Sequence, residues 1–145
     1  MQPKSFTHRY PHLTRILPIK IEVGQPRLLI SNATTARFLA IWDTGAYNTM
    51  ITNKVVRTLK LEAYGSASVH TASSTILSKL YLIDVILPED IEIPGVRATV
   101  GNLPGFDVLL GMDVITSGDF AISNSLETKE VIVSYRIPPR GEISF

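Results

Sequence analysis

Asp43 stands at the end of an apolar run, Phe38-Leu39-Ala40-Ile41-Trp42, and is followed by Thr44, Gly45 and Ala46. These residue types, in this order, suit a carboxylate that handles protons. The apolar run reads as a strand that buries the approach to the acid, and Thr44 can hydrogen-bond into the turn. Gly45 lets the backbone come close to the carboxylate and donate its N–H. The same tetrapeptide would also serve an aspartate that only stabilises a turn. A second element, Asp107-Val108-Leu109-Leu110-Gly111-Met112-Asp113, follows downstream. Its Leu109-Leu110-Gly111 reads as structural support, with Gly111 allowing close backbone approach, or as an ordinary buried strand ending in a turn.

Few other chemistries fit. With no cysteine in the chain, disulfides, thiol catalysis and cysteine-ligated metal are excluded. His8 and His12 are four apart, but Pro11 between them argues against a helix that would align them on a metal. Asp113 and Asp119 are the carboxylates that would be needed for an intrachain pair with Asp43. Asp113 reads instead as a helix-start or arginine-paired acid. Lys54, Arg57 and Lys60 recur every three residues opposite an apolar side, the pattern of a solvated face. Phosphate-binding glycine loops, a serine-histidine triad and zinc-ligand spacing are all absent from the sequence. The reading therefore expects no cofactor and no metal. A net charge of +1, from 14 basic and 13 acidic residues, favours no polyanionic partner. The first ten residues hold no apolar core of a leader, and no run is long enough to span a bilayer. The expectation is a soluble, cytoplasmic protein with neither nucleic acid nor membrane as partner.

Elements must hold Asp43 in place, and they are mostly strands. The chain's 145 residues, 45% of them hydrophobic, suffice for one core and most simply one domain. Ile19, Ile21 and Val23 alternate with Lys20 and Glu22 as a half-buried strand does, and Gly24-Gln25-Pro26 reads as its turn. A second strand is expected around Arg27–Ile30, then a loop at 31–33, then the strand leading to Asp43. Thr52 or Asn53 can cap a short helix whose Val55, Val56 and Leu59 share one face. Strands are expected near 67–72, 76–87 and 95–100, broken by Ser73-Ser74 and by Pro88-Glu89-Asp90. Val131, Val133, Tyr135 and Ile137 mark a terminal strand closed by Pro138-Pro139. The sum is a mainly β protein, a small partly closed barrel with one or two short helices. Residues 1–13 read as a flexible N-terminal arm, 14–137 as the domain and 138–145 as a C-terminal tail.

Taken together, the Asp43 and Leu109-Leu110-Gly111 elements resemble the retropepsin-like, retroviral-type aspartic proteases over roughly residues 14 to 137. Trp42 and the run Gly118-Asp119-Phe120-Ala121-Ile122-Ser123 are similar to the bacterial single-domain members. The resemblance implies an acid-protease barrel and an aspartic endopeptidase in which two carboxyl groups share one proton. One chain supplies one such aspartate, so Asp43 would pair with its mate across a homodimer and act on an extended peptide. Thr44, Gly45 and Ala46 would support the catalytic loop, with Thr44 hydrogen-bonding across the dimer axis. Tyr47 and Asn48, where retroviral relatives carry acidic residues, would line the substrate groove. Residues 69–76 occupy the place of the family's flap, a hairpin closing over substrate. Its Thr71, Ala72, Ser73 and Ser74 would meet the peptide, although the glycines of viral flap tips are absent. A static surface hairpin, and a peptide- or protein-binding module of the same fold without catalysis, are the competing expectations.

Overall fold

Period-two alternation of apolar residues decides most of the architecture, which the computed structural model describes for residues 2–145. In chain order the elements are β1 (Lys4–Tyr10), β2 (Pro18–Gly24), β3 (Thr35–Trp42), β4 (Met50–Ile51), α1 (Asn53–Leu59), β5 (Gly65–His70) and β6 (Thr75–Leu87). They continue with β7 (Ile91–Val100), β8 (Val108–Leu110), α2 (Met112–Ile115), β9 (Asp119–Ser125) and β10 (Glu130–Ile137). A single tight helical turn, Pro88–Asp90, links β6 to β7.

The strands β2, β3, β8, β4, β7 and β6 lie side by side, in that order, in a sheet that closes when β6 returns to β2. The closing pairs are Glu22 with Ile86, Val23 with Val85 and Gly24 with Asp84. Closure leaves these strands no long open edge for another chain to join. Ile19, Ile21 and Val23 are buried, as are Phe38, Ala40 and Trp42 on β3 and Tyr81, Ile83, Val85 and Leu87 on β6. Every second side chain of each strand thus fills the interior, and each large one contributes roughly 1.5–3 kcal/mol by leaving water. Asp84 is a buried charged residue among them. It sits where the β6–β7 register shifts, and its two oxygens accept the backbone N–H groups of Arg27 and Gly95, each at 3.0 Å.

β6 serves two parts of the molecule. From Leu80 onward it pairs with β7, whereas residues 75–79 pair with β5 alone and form a hairpin that runs past the barrel. Ser78 marks the departure point. Its Oγ accepts the N–H of Val100 at 3.0 Å, filling in where the β7 ladder stops.

A three-stranded sheet, β1-β10-β9, packs beside the barrel. Tyr135 is the hinge of that packing. Its ring lies 6.0 Å from Phe6 and 5.8 Å from Trp42, and its hydroxyl donates to the carbonyl of Val114 at 2.9 Å. Phe120 of β9 covers Trp42 from the same side, with ring centroids 5.0 Å apart. The residue just before Asp43 is therefore packed against aromatic rings of this second sheet.

The expected helix forms at 53–59 with Val55 and Leu59 buried, and Lys60 ends it in a left-handed conformation. Lys54 and Arg57 face solvent as expected, and Lys54 also reaches Asp107 at 3.1 Å. Two expectations are corrected. Arg27–Ile30 is not a strand: the N–H groups of Leu29 and Ile30 both turn back to the carbonyl of Pro26, each at 3.0 Å. Leu28 and Leu29 are left exposed. Within the arm expected at residues 1–13, Lys4–Tyr10 are strand β1, paired along its whole length with β10. Phe6 and Tyr10 alternate into the core there, a signal that His8 between them had masked. No helix among the described residues is long and apolar enough to cross a membrane.

Candidate active site

β8 runs parallel to β3 and antiparallel to β4, so it lies between the two strands that the Asp43 loop connects. The loop, residues 43–49, therefore passes over the end of β8 and must be stitched to the start of α2. The N–H of Asp43 donates to the carbonyl of Leu110 at 2.9 Å. The N–H groups of Met112 and Asp113 donate back to the carbonyls of Ala46 and Tyr47, at 2.8 and 3.2 Å. Gly111 sits under this crossing, and a β-carbon on it would lie 2.7 Å from the Asn48 carbonyl and 3.0 Å from that of Ala46. Only glycine admits so close a contact between the two segments.

Asp43 is half-buried, while Thr44 and Gly45 are exposed on the loop's crest. The N–H of Gly45 donates to Asp43 Oδ1 at 2.8 Å. That bond fixes one carboxylate oxygen and leaves Oδ2 without a hydrogen-bond partner among the described residues. The Thr44 hydroxyl makes no hydrogen bond to another described residue, so the turn is held by backbone rather than by this side chain. Tyr47 is 90% exposed, the large aromatic of the loop standing clear of the surface. The geometry offers a rigid, accessible carboxylate with one face free.

Three other aspartates, Asp107, Asp113 and Asp119, are committed elsewhere. Asp113 takes the backbone N–H and the hydroxyl of Thr49, at 3.0 and 2.8 Å. Asp119 accepts the Arg136 side chain and the Arg140 N–H, both at 2.7 Å. The Arg140 N–H first, and then Arg136, hold its carboxyl below the usual value of 3.8. Asp107 binds the N–H of Leu39 and the ammonium of Lys54. Asp113 does start a helix, as the sequence implied, but its partner is Thr49 and not an arginine. Thr49 itself, wholly buried, escaped sequence reading, because a threonine just before a short strand carries no signal of a carboxylate more than sixty positions away.

Thr71, Ala72, Ser73 and Ser74 form the tip of the β5–β6 hairpin. The Thr71 hydroxyl bonds the N–H and carbonyl of Ser74 at 3.0 and 2.9 Å, and His70 Nδ1 lies 3.0 Å from the Thr75 hydroxyl. These bonds stay within the tip, and none of them ties it to the Asp43 loop. Two roomy clefts lie away from Asp43. One of about 650 Å³ is walled by Leu29, Ile30, Leu61 and Tyr64, and one of about 480 Å³ by Phe38, Leu39, Leu87 and Pro88.

Residues 30–117 match the family described as "gag-polyprotein putative aspartyl protease". This chain belongs to that aspartyl protease family. The matched stretch is more than half of the protein and contains the Asp43 loop, the hairpin and Leu109-Leu110-Gly111. The solved structure of a retropepsin-like aspartic protease from Rickettsia conorii covers 94% of this chain and 96% of its own, with a TM-score of 0.54 and 14% identity. At that identity the likeness concerns the fold, and it extends the retropepsin-like architecture to the strands outside the family match. No curated protein matches the chain.

Proposed function

We propose that the chain is an aspartic endopeptidase that works as a homodimer, with Asp43 and its symmetry mate sharing the catalytic proton. One observation carries this reading: a rigidly held, half-exposed Asp43 has a free oxygen, while Asp107, Asp113 and Asp119 are spent on other partners. A water-activating pair needs a second carboxyl group, and a second copy of Asp43 is the available source. The ionised member takes a proton from water as its oxygen attacks the peptide carbonyl carbon. The protonated member donates to the carbonyl oxygen. Collapse of the resulting tetrahedral adduct, with protonation of the amine, breaks the C–N bond. Like charges this close do not both ionise cheaply, so the pair titrates in two steps.

The rest of the loop fits the same scheme. Thr44 and Gly45 lie exposed where a partner loop would meet them, and the Thr44 hydroxyl is free to bond across the axis. Tyr47 and Asn48 extend the loop towards the groove, and Thr71–Ser74 would close over an extended peptide by backbone bonding. The decisive test is cleavage of a mixed peptide library across the acid range by wild type and Asp43→Asn. The amide is nearly isosteric but cannot act as base. We expect wild-type cleavage with an acid optimum and none from the variant, at equal folding and dimer content. Equal turnover by both would end the assignment. No cleavage by a verified wild-type dimer at any pH would favour a binding module.

A further inference from the structure

We propose that Asp113 and Thr49 are a positioning pair that holds the Asp43 loop in its reactive shape, an inference that rests on the peptidase reading above. Thr49 is the last residue of the loop and has no exposed surface. Its backbone N–H donates to Asp113 Oδ2 at 3.0 Å and its hydroxyl to Oδ1 at 2.8 Å. Oδ1 also accepts the N–H of Val114 at 2.9 Å. With its proton given to Asp113, the Thr49 hydroxyl turns its lone pairs to the N–H of Gly111 at 3.3 Å. Donors from two separate segments thus converge on one group that only accepts when ionised.

The consequence is a loop gripped at both ends. Leu110 takes the N–H of Asp43 at the entry, and Asp113 with Thr49 takes the exit. Between them the carbonyls of Ala46 and Tyr47 receive the N–H groups of Met112 and Asp113. Because the segment is short, movement at Thr49 is passed along it to Asp43. Thr49 is enclosed, and the Asp113 oxygens are occupied by donors of the chain itself, so the pair acts through the loop rather than on substrate. The chemistry at 113 is specific. An asparagine there would offer one oxygen and one NH₂, and the NH₂ would face either the N–H of Thr49 or that of Val114.

Asp113→Asn and Thr49→Val test the pair, with Thr49→Ser as the conservative variant that keeps the hydroxyl. A displacement of about 1 Å at reacting groups costs roughly a hundredfold in rate. We therefore expect kcat to fall about tenfold to a hundredfold in the first two variants, with KM changed by less than about threefold. Thr49→Ser should recover most of the rate. Amide hydrogen exchange supplies a readout that does not need activity. Exchange should quicken at Asp43, Thr49 and Gly111, while the amides of Val23 and Val85 in the barrel stay protected. Should Asp113→Asn fail to fold, the two Thr49 variants carry the comparison. Selective quickening with an inactive wild type would support the grip and sink the peptidase reading alone. Wild-type kcat in folded Thr49→Val, a KM effect alone, or unchanged exchange at Asp43, Thr49 and Gly111 would overturn the proposal.

Discussion

Gly111 lies so close beneath Asn48 that a β-carbon on it would stand 2.7 Å from both the carbon and the oxygen of the Asn48 carbonyl. The contact is backbone against backbone, so no flexible side chain can yield. Gly111→Ala should push the Asp43 loop away from β8 and cost about 1–3 kcal/mol, the usual range for overpacking a well-filled site. Urea unfolding followed by circular dichroism would measure it. A midpoint equal to wild type would show that the loop moves aside freely and is not held as described.

The same glycine shows what was legible beforehand. Leu109-Leu110-Gly111 was legible as support for the Asp43 element, because a glycine there admits the close backbone approach that Gly111 makes to Asn48, whereas Gly45 meets only the Asp43 carboxylate. The hairpin tip at 71–74 was legible from small polar residues between β-rich runs. Three features were not. Arg27–Ile30 is apolar enough for a strand, but Pro26 begins a turn that captures the N–H groups of Leu29 and Ile30. The pairing of β1 with β10 joins residues more than a hundred positions apart, and local pattern gives no hint of such a partner. The Asp113–Thr49 pair depends on the β3-β8-β4 order, which exists only once the barrel has closed.

Acid should weaken the anchor of β9 on β10. The Asp119 carboxyl is held below 3.8 by the Arg140 N–H and by Arg136. A carboxyl depressed in the folded state contributes its stabilisation fully above the unfolded value, and loses it as pH falls through the folded one. Asp119→Asn should therefore be less stable than wild type at neutral pH, and the two should converge as pH drops below 3.8. Paired unfolding curves across that range would check it, and a gap that stays constant with pH would contradict the assignment.

The hairpin should respond to ligand. Thr71 and Ser74 bond chiefly to one another, leaving the tip free to adjust to a bound peptide. A transition-state mimic with a hydroxyl between two apolar side chains should slow hydrogen exchange at residues 71–74 relative to the free protein. Unchanged exchange there, with the mimic demonstrably bound, would mean that this hairpin is not a lid.

The proposed sharing of one site between two chains is tested most directly by mixing subunits. Wild-type chains are combined with excess Asp43→Asn chains under conditions that allow exchange, and mass-tagged subunits verify that mixed dimers have formed. A mixed dimer holds a single Asp43 carboxyl, which cannot be acid and base at once. Activity per wild-type chain should fall in proportion to the wild-type fraction, provided both variants dimerise equally. Constant activity per wild-type chain after verified exchange would contradict the paired-carboxylate mechanism and require a second catalytic carboxylate within the chain.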